Sequence, residues 1–513
     1  MMASEELRRG WCPGALRPMQ SGDGLLVRVK PSCGMVTLDQ AEAIATLARD
    51  HGNGLIELTS RGNLQLRGVR DATLGALTSA LDALGLLDTT PEAEAIRNVV
   101  SSPLAGIDET AFDTRPIVKA LEQGLTGDSE IAGLSDKFGF LVDGGGLLPL
   151  DDIEADIRFV WTGDQFAIGL ARECGCVWVG VCSPGEVTGV AIGLAHAFLG
   201  HTGSVRRVRH LSDAERDQIS KTAGVENRGQ THGSDPIRNA AISNSPNTAI
   251  KSTFAALPPA PSSRRRPGST QVSAGGTLQD LARQTRSGNV EQTDAGVDPG
   301  LRRDDVGMVG GGGDRSDGGI CVAGIGLPYG GTTSCALQSL VGLARNAGAT
   351  ELRLTPWRAI LVPGAGGNSA TSLLTQAAAL GFITDPTDAR RAIAACPGAP
   401  ACASGTTPVR ADADLFAKAA ASLLGDGASL HVSGCAKGCA RRQAATLTVV
   451  ADAGRYGLVV NGTASNVAYG CFTAPEIAEI LARVPSAVTK AGDASHTSKG
   501  AAIEAALKEI LAA

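Results

Sequence analysis

Four cysteines in the last quarter of the chain have the spacing of a cluster-binding site. Cys396 and Cys402 form a C-x5-C pair in CPGAPAC, and Cys435 and Cys439 form a C-x3-C pair in HVSGCAKGCARR. Iron–sulfur clusters are commonly held by four cysteine thiolates, and glycine or proline in the surrounding loops lets backbone N–H groups approach the sulfur atoms. The sequence therefore predicts a 4Fe-4S cluster on these four cysteines.

Zinc binding and simple packing are the alternatives for these four cysteines. Structural zinc sites favour closer C-x2-C to C-x4-C pairs in both halves, which the wide first pair does not match. All four could instead be thiols packed among small residues. Lys437 and the pair Arg441 and Arg442 favour a ligand site, because a cationic rim beside a cluster suits an anionic ligand. A separate local pair, Cys174 and Cys176, has no further ligand at a recognisable spacing and is assigned no function.

The bulk composition narrows the class of protein. The 513-residue chain is 43% hydrophobic and only 3% aromatic, which predicts several domains packed with small aliphatic side chains. Its formal net charge of -6 gives no reason to expect nucleic acid or an anionic membrane as a partner. The N-terminus lacks the apolar core of a signal peptide, and no apolar run reaches the about 18 to 20 residues of a membrane span. We therefore expect a cytoplasmic protein.

Two passages of the chain share one order of predicted secondary-structure elements. These elements must position the cysteines and the basic residues. The first has predicted strands at 25–29, 55–58 and 64–66 and a helix opened by Thr37 and Gln40 at a capping-box spacing. The second passage, from GIGLPYGG to WRAILV, repeats the order strand, helix, strand, turn, strand. An arginine follows a threonine in each turn, Arg61 in the first and Arg358 in the second. A βαββ unit used twice predicts two ferredoxin-like half-domains that pair into one pseudo-symmetric domain.

The boundaries of the predicted units follow from these repeats. They are a first ferredoxin-like half-domain at 1–90, a first α/β domain at 91–211, a disordered linker at 212–318, a second half-domain at 319–390 and a cluster-carrying α/β domain at 391–513. The linker prediction rests on stretches such as LPPAPSSRRRPGST, which contain too little apolar surface to offset the entropy of ordering. The two α/β domains could form a second duplicated pair. The predicted fold class is therefore α+β.

The paired cysteines, the duplicated unit and its arginine turn together resemble the sulfite/nitrite reductase superfamily over nearly the whole chain outside the linker. In that superfamily a T-x-R turn, an R-N-V segment and a K-F-K segment surround sirohaem and its small anion. The resemblance implies substrate-binding roles for Arg61 in T-S-R, Arg97 in R-N-V, Lys137 in K-F-G and Arg358 in the second turn. Gly139 stands where the second lysine of the last motif is expected, which argues against sulfite or nitrite reduction.

Within the superfamily, four segments resemble the precorrin-3B synthase family: WCPGALRPMQSGDGLLVRVKP, HGNGLIELTSRGNLQLRGV, CPGAPACASG and HVSGCAKGCA. The resemblance implies a monooxygenase that uses molecular oxygen to hydroxylate precorrin-3A at the meso carbon between rings A and D, with γ-lactone formation, in aerobic cobalamin biosynthesis. It also implies a mononuclear non-haem iron and NADH or another reductant, which an electron-donor protein could deliver. By the same resemblance Cys439 is the thiolate nearest the macrocycle. The alternatives are a sirohaem-dependent sulfite or nitrite reductase and a non-catalytic electron carrier.

Overall fold

The computed structural model describes residues 12–201, 205–225, 307–309, 321–425, 428–488 and 496–512. Within these residues the strands form four five-stranded sheets. Helices pack on these sheets, so the predicted α+β class is confirmed. None of the helices in these ranges is long and apolar enough to cross a membrane.

The first half-domain is the βαββ unit that the sequence predicts. Its elements are β1 (Met19–Ser21), β2 (Gly24–Val29), β3 (Met35–Thr37), α1 (Leu38–His51), β4 (Leu55–Leu58), β5 (Leu64–Val69) and α2 (Asp71–Ala83). Helix α1 begins at the predicted capping box, where Thr37 Oγ1 accepts from the Gln40 N–H and Gln40 Oε1 accepts from the Thr37 N–H. The apolar face of α1, including Ile44 and Ala48, is fully buried in the core.

The second half-domain repeats the first and exchanges a strand with it. Its elements are β11 (Gly307–Val309), β12 (Val322–Gly326), β13 (Gly331–Thr333), α7 (Ser334–Asn346), β14 (Glu351–Leu354), β15 (Ala359–Pro363) and α8 (Gly367–Ala379). The two sheets have the orders β1-β2-β5-β4-β13 and β11-β12-β15-β14-β3. Strand β3 therefore pairs in the second sheet, with Thr37 opposite Glu351, and β13 pairs in the first, with Thr333 opposite Leu55. One core contains residues of both halves, which confirms the predicted pseudo-symmetric domain.

The first α/β domain follows the first half-domain. Its elements are α3 (Pro91–Ile96), β6 (Val99–Ser101), α4 (Arg115–Gly127), β7 (Phe140–Asp143), β8 (Ile157–Trp161), β9 (Phe166–Ala171), β10 (Cys176–Cys182), α5 (Val187–His201) and α6 (Asp213–Thr222). Strands β6, β7 and β8 are parallel neighbours, and β9 and β10 extend the sheet antiparallel. Cys174 and Cys176 lie at the hairpin between β9 and β10.

The last domain has the same sheet connectivity. Its elements are β16 (Ile393–Ala395), α9 (Val409–Ala419), α10 (Ala421–Gly425), β17 (Leu430–Ser433), β18 (Ala445–Asp452), β19 (Arg455–Gly462), β20 (Cys471–Phe472), α11 (Ala474–Val488) and α12 (His496–Ala512). Strands β16, β17 and β18 are parallel, and β19 and β20 follow antiparallel. The order β6 to β10 therefore matches the order β16 to β20, so the α/β domains are also a duplicated pair.

The structure corrects both ends of the predicted linker at 212–318. Residues 213–222 form helix α6, which a capping box of Ser212 and Glu215 begins. Residues 307–309 form strand β11, at the edge of the second sheet, where β1 stands in the first. The rest of the predicted linker, at 226–306 and 310–318, lies outside the described residues.

The turns that carry Arg61 and Arg358 are equivalent, but the two arginines are not. Gly62 N–H donates to Thr59 O at 3.0 Å, and Arg358 N–H donates to Thr355 O at 3.3 Å. Both donors have left-handed backbone, with φ of 68° at Gly62 and 63° at Arg358. Arg358 therefore occupies the position of Gly62. The position of Arg61 is taken in the second turn by the fully buried Trp357.

Candidate functional site

The two cysteine pairs meet at one edge of the last sheet. Cys396 directly follows β16, and Cys435 stands shortly after β17. The carboxyl ends of parallel neighbours lie at the same edge, so the two loops come together there. The Gly434 N–H donates to Cys396 Sγ at 3.1 Å, which joins the loops directly. The fold thus brings all four predicted ligands to one place.

Tight backbone turns shape the loop between Cys396 and Cys402. Gly398 has a φ of 66°, and a Cβ there would stand 2.7 Å from Thr407 O. A Cβ at Gly405 would stand 2.8 Å from Ala399 N. A larger residue at either position would push the loop out of place. These glycines explain why this cysteine pair is set in a small-residue sequence.

The four thiols are close enough to influence one another's ionisation. Burial raises the pKa of Cys396, and Cys402 and Cys435 raise it further. Burial also raises the pKa of Cys439, which the Lys437 ammonium opposes and the other three thiols reinforce. Thiolates gathered in this way repel one another unless a cationic centre binds them. The donor set therefore fits a metal centre.

In the described part of the chain, no three or more His, Cys, Asp or Glu side chains are arranged to hold a metal ion. The choice between a 4Fe-4S cluster and zinc on the four cysteines therefore rests on their sequence spacing. The same finding gives no ligand set for the mononuclear iron that the resemblance implies, and that iron stays a prediction.

The first half-domain holds the Cys402 loop in place. Ala401 O accepts from Arg67 Nη2 at 2.6 Å and from Ser21 Oγ at 2.9 Å. Arg67 is only 3% exposed and is itself fixed by ion pairs to Asp23 at 2.9 Å and Glu57 at 3.3 Å. A Cβ at Gly22 would stand 2.6 Å from Ala403 N, so the two segments are in close contact. We call this set of contacts around Arg67 the loop clamp.

Five basic side chains from three domains are near neighbours through Arg61 and Lys137. We call them the cationic group: Arg28 and Arg61 from the first half-domain, Lys137 and Arg207 from the first α/β domain and Arg442 from the cluster domain. Arg61 Nη2 donates to Lys137 O at 2.7 Å. Burial lowers the pKa of Arg61 to about 10, and Arg207 and Arg28 lower it further. Burial lowers the pKa of Lys137 as well, with Arg442 as the next cause. Cys12 and Asp156 offset part of this repulsion at Arg61, and Arg207 is already paired with Asp156, so the other cations of the group are the candidates for binding an anion.

Lys30 and Arg97 lie beside the cationic group and have different surroundings. Lys30 Nζ donates to Asn98 Oδ1 at 3.0 Å and to a backbone carbonyl, and burial lowers its pKa to about 8. Arg97 forms ion pairs with Asp88 at 2.6 Å and Glu122 at 3.3 Å. The Arg97 guanidinium is thus engaged with carboxylates of its own chain. Its role in substrate binding stays a prediction.

Gly139 lies next to Arg61. Its N–H donates to Asp156 Oδ2 at 2.9 Å, and Asp156 pairs with Arg207 at 2.9 Å. A Cβ at Gly139 would find Arg61 Nη2 as its nearest neighbour at 3.7 Å, which is ordinary contact. Packing would therefore accept a Cβ there, so close contact does not by itself require glycine at this position.

Arg358 lies at a second cationic space, between the second half-domain and the cluster domain. Its Nη2 donates to Ala440 O at 3.5 Å, next to Cys439. A cavity of about 110 Å³ at this point has four arginines among its lining residues: Arg358, Arg390, Arg391 and Arg441. Arg358 is thus near the cluster loop, and its substrate-binding role also stays a prediction.

Two residues of this region were missed by sequence reasoning. Arg207 carries no local motif, and only the fold brings it to Asp156. His431 stands in β17 between apolar residues and is fully buried. The sequence signal for it is a histidine between the apolar residues of a strand, four residues before Cys435.

Comparison with known proteins supports the superfamily. Residues 17–84 match the nitrite/sulfite reductase ferredoxin-like half domain. Over 504 residues the chain is 29% identical to a precorrin-3B synthase from Sinorhizobium sp., covering 96% of this chain and 92% of that protein. A ferredoxin–nitrite reductase from Synechococcus elongatus is 33% identical over 146 residues, which are 27% of this chain and 28% of that enzyme.

The fold of the whole chain also has a solved counterpart. The structure of the Mycobacterium tuberculosis NirA protein superimposes with a TM-score of 0.60 at 17% identity, covering 95% of this chain and 84% of that one. At this identity the likeness concerns the fold alone. The sequence comparisons add that residues 17–84 are similar to a nitrite/sulfite reductase half domain and that the chain is similar over nearly its full length to a precorrin-3B synthase.

Proposed function

We propose that this chain is a precorrin-3B synthase: it hydroxylates precorrin-3A at the meso carbon between rings A and D, with γ-lactone formation, in aerobic cobalamin biosynthesis. The cationic group is the observation that carries the proposal. Five basic side chains of three domains are near neighbours, and one of them, Arg442, is three residues after the predicted cluster ligand Cys439, so an anionic substrate held by the group would lie near an electron source.

The charge of the substrate matches this site. Precorrin-3A carries eight carboxylates, and arginine guanidinium groups bind carboxylates through two parallel hydrogen bonds. Arg61 is fixed by its bond to Lys137 O, so its guanidinium is oriented before the ligand arrives. Gly139 leaves out the lysine side chain that the superfamily pattern has beside Arg61. These residues would bind and orient the substrate.

Residues of the chain would also hold the redox centre. Cys396, Cys402, Cys435 and Cys439 would bind a 4Fe-4S cluster, with the Gly434 N–H donating to the Cys396 sulfur. When bound, the cluster would supply electrons from NADH or another reductant, directly or through a donor protein. Monooxygenation places one oxygen atom in the product and releases the other as water, and it consumes two electrons and two protons.

The sirohaem-dependent reductase is less well supported. Its superfamily pattern needs a second lysine at the position of Gly139, where this chain has no side chain beside Arg61. The nitrite reductase from Synechococcus elongatus matches only 27% of the chain, whereas the precorrin-3B synthase from Sinorhizobium sp. matches 96%. Both facts favour the monooxygenase.

Single-turnover oxygenation tests the proposal. The purified protein, with its iron and sulfide content measured, would be incubated anaerobically with precorrin-3A and a reductant, and oxygen would then be admitted. We expect a product that gains one oxygen atom, and 18O labelling should show that the atom comes from O₂. A protein with a full cluster that returns unchanged precorrin-3A, or that shows sirohaem absorption bands, would contradict the assignment.

A further inference from the structure

His431 is a buried polar side chain with no partner in the described residues. It is 0% exposed, and neither ring nitrogen makes a hydrogen bond in that part of the chain. In the sheet it lies between Ala394 on β16 and Thr448 on β18. A buried imidazole that forms no hydrogen bond destabilises the fold, so an otherwise unexplained histidine here calls for a function.

The duplicated domain shows that the fold does not need a histidine at this position. His431 is the second residue of β17, and the second residue of the equivalent strand β7 is Leu141. Leu141 pairs with Val100 on β6 as His431 pairs with Ala394 on β16. Leu141 is fully buried in an apolar cluster with Trp357. The fold therefore accepts an apolar residue at this position, and the histidine is found in the copy of the domain that carries the four cysteines.

The ring of His431 lies against the turn that connects two of these cysteines. A Cβ built on Gly438 would stand 3.5 Å from His431 Cε1, so the ring is directly beside the backbone between Cys435 and Cys439. The turn is closed by Ser433 Oγ, which donates to Cys435 O at 2.7 Å. The imidazole thus faces the loop whose sulfur atoms would surround the cluster.

The ring is neutral in this setting. Burial lowers the pKa of His431 to about 4, and the nearby guanidinium groups of Arg441 and Arg358 lower it further. A neutral imidazole has one N–H donor and one acceptor nitrogen. Sulfur atoms of a bound cluster are acceptors, and they become better acceptors when the cluster gains an electron.

We propose that His431 donates its ring N–H to a sulfur atom of the cluster, or of a ligand thiolate, in the Cys435 to Cys439 loop. This bond stabilises the reduced cluster and raises its reduction potential. His431 is thus a positioning residue that acts through the redox centre and does not touch the substrate. The inference rests on the cluster assigned under the proposed function.

Potentiometry of the full-length protein tests this role. The reduction potential would be measured by EPR-monitored titration in the wild-type protein and in His431→Leu, which installs the residue of the duplicated strand. We expect about a tenfold lower ratio of reduced to oxidised cluster at a fixed potential, which is about 59 mV for a one-electron couple. His51→Leu is the matched control, because His51 also has a buried ring nitrogen without a partner but lies in α1. It should leave the potential unchanged.

A second measurement keeps the test decisive if His431→Leu loses its cluster. Pulsed EPR of reduced, 15N-histidine-labelled protein should show a weak nitrogen coupling in the wild-type protein that is absent in His431→Gln. Equal potentials in the wild-type protein and a cluster-loaded His431→Leu, or a wild-type spectrum without that coupling, would overturn the role of His431. A wild-type protein with no iron or sulfide would instead refute the proposed cluster itself.

Discussion

Arg61 and Arg97 lie close to the same pocket, but the charged groups around them differ. Arg61 donates to the backbone oxygen of Lys137 and has other cations around it. Arg97 is 11% exposed and pairs with two carboxylates that are about as buried. The first arrangement favours an incoming anion, whereas the second is an internal ion pair that stabilises the fold. Mutation should separate these two roles.

We expect Arg61→Ala to lower affinity and Arg97→Ala to lower stability. Loss of one charge-assisted hydrogen bond costs about 1.5–3 kcal/mol, which is roughly a 10- to 100-fold weaker binding of uroporphyrin III, a stable octacarboxylate. Removing Arg97 leaves Asp88 and Glu122 buried without their partner, at a cost of about 3–5 kcal/mol in the free energy of unfolding. Fluorescence titration and chemical denaturation measure the two effects. The exposed Arg49→Ala serves as control, and equal losses of affinity in both variants would contradict the distinction.

Lys30 should make ligand binding depend on pH. Burial lowers its pKa from 10.5 to about 8, so the ammonium is charged below pH 8 and loses its proton as the pH rises through that value. A polycarboxylate binds the charged form better. The dissociation constant for uroporphyrin III should therefore increase as the pH rises through about 8. Lys30→Gln should remove much of this increase, and an identical pH profile in both proteins would refute the role of Lys30.

At the scale of elements, the loop clamp connects the first half-domain to the cluster ligands. Arg67 of β5 and Ser21 of β1 both donate to Ala401 O, next to Cys402. The position of one ligand thus depends on two strands of a sheet that lies in another domain. If Cys402 is a ligand as proposed, a mutation in the first half-domain should affect metal binding through this clamp.

Arg67→Met should reduce the iron and sulfide bound per chain, because Ala401 O loses its strongest donor and the Cys402 loop is released. The change also leaves Asp23 and Glu57 without this partner. Glu57 keeps its ion pair with Arg410, so the sheet itself should remain folded. Metal analysis and far-UV circular dichroism measure both properties. Arg345→Met, at an exposed ion pair, is the control; full iron content in Arg67→Met would contradict the clamp.

Elements with strong local signals were predictable from the sequence, and those formed through distant pairing were not. Helix α1 begins at the capping box of Thr37 and Gln40, as expected. Helix α6 was not predicted, although Ser212 and Glu215 have the same spacing, because one capping box is a weak signal beside the Pro-, Gly- and Ser-rich stretch that follows it. Strand β11 has only three residues and forms through its partner β12, so no local pattern marks it.

At the scale of the whole molecule, the two copies of each duplicated unit supply different residues to the candidate site. The first copies supply Arg28, Arg61, Lys137 and Arg207, and the second copy supplies the cysteines and Arg442. The sequence predicted that the repeated units pair, and the sheets confirm it. It could not show the strand exchange or the convergence of cations from three domains, since both depend on contacts between residues far apart in the chain.

We expect the two halves to assemble when they are made as separate chains. A break between residues 225 and 307 leaves every described sheet element intact, but β3 and β13 each need a partner on the other fragment. Co-expressed fragments 1–225 and 307–513 should copurify, whereas each fragment alone exposes an unpaired strand edge and should aggregate. Size-exclusion chromatography measures this. A monomeric, folded 1–225 fragment would contradict the dependence on exchange.

The exchange also sets an order of events during synthesis. The ribosome releases β3 long before β14, its only partner in the described sheets, has been translated. Until Glu351 emerges, the nascent first half has one strand that cannot pair and a sheet edge at β4 that waits for β13. The amino-terminal half therefore cannot complete its native hydrogen bonding while it is being made. The rate of translation decides how long those edges stay open to other nascent chains.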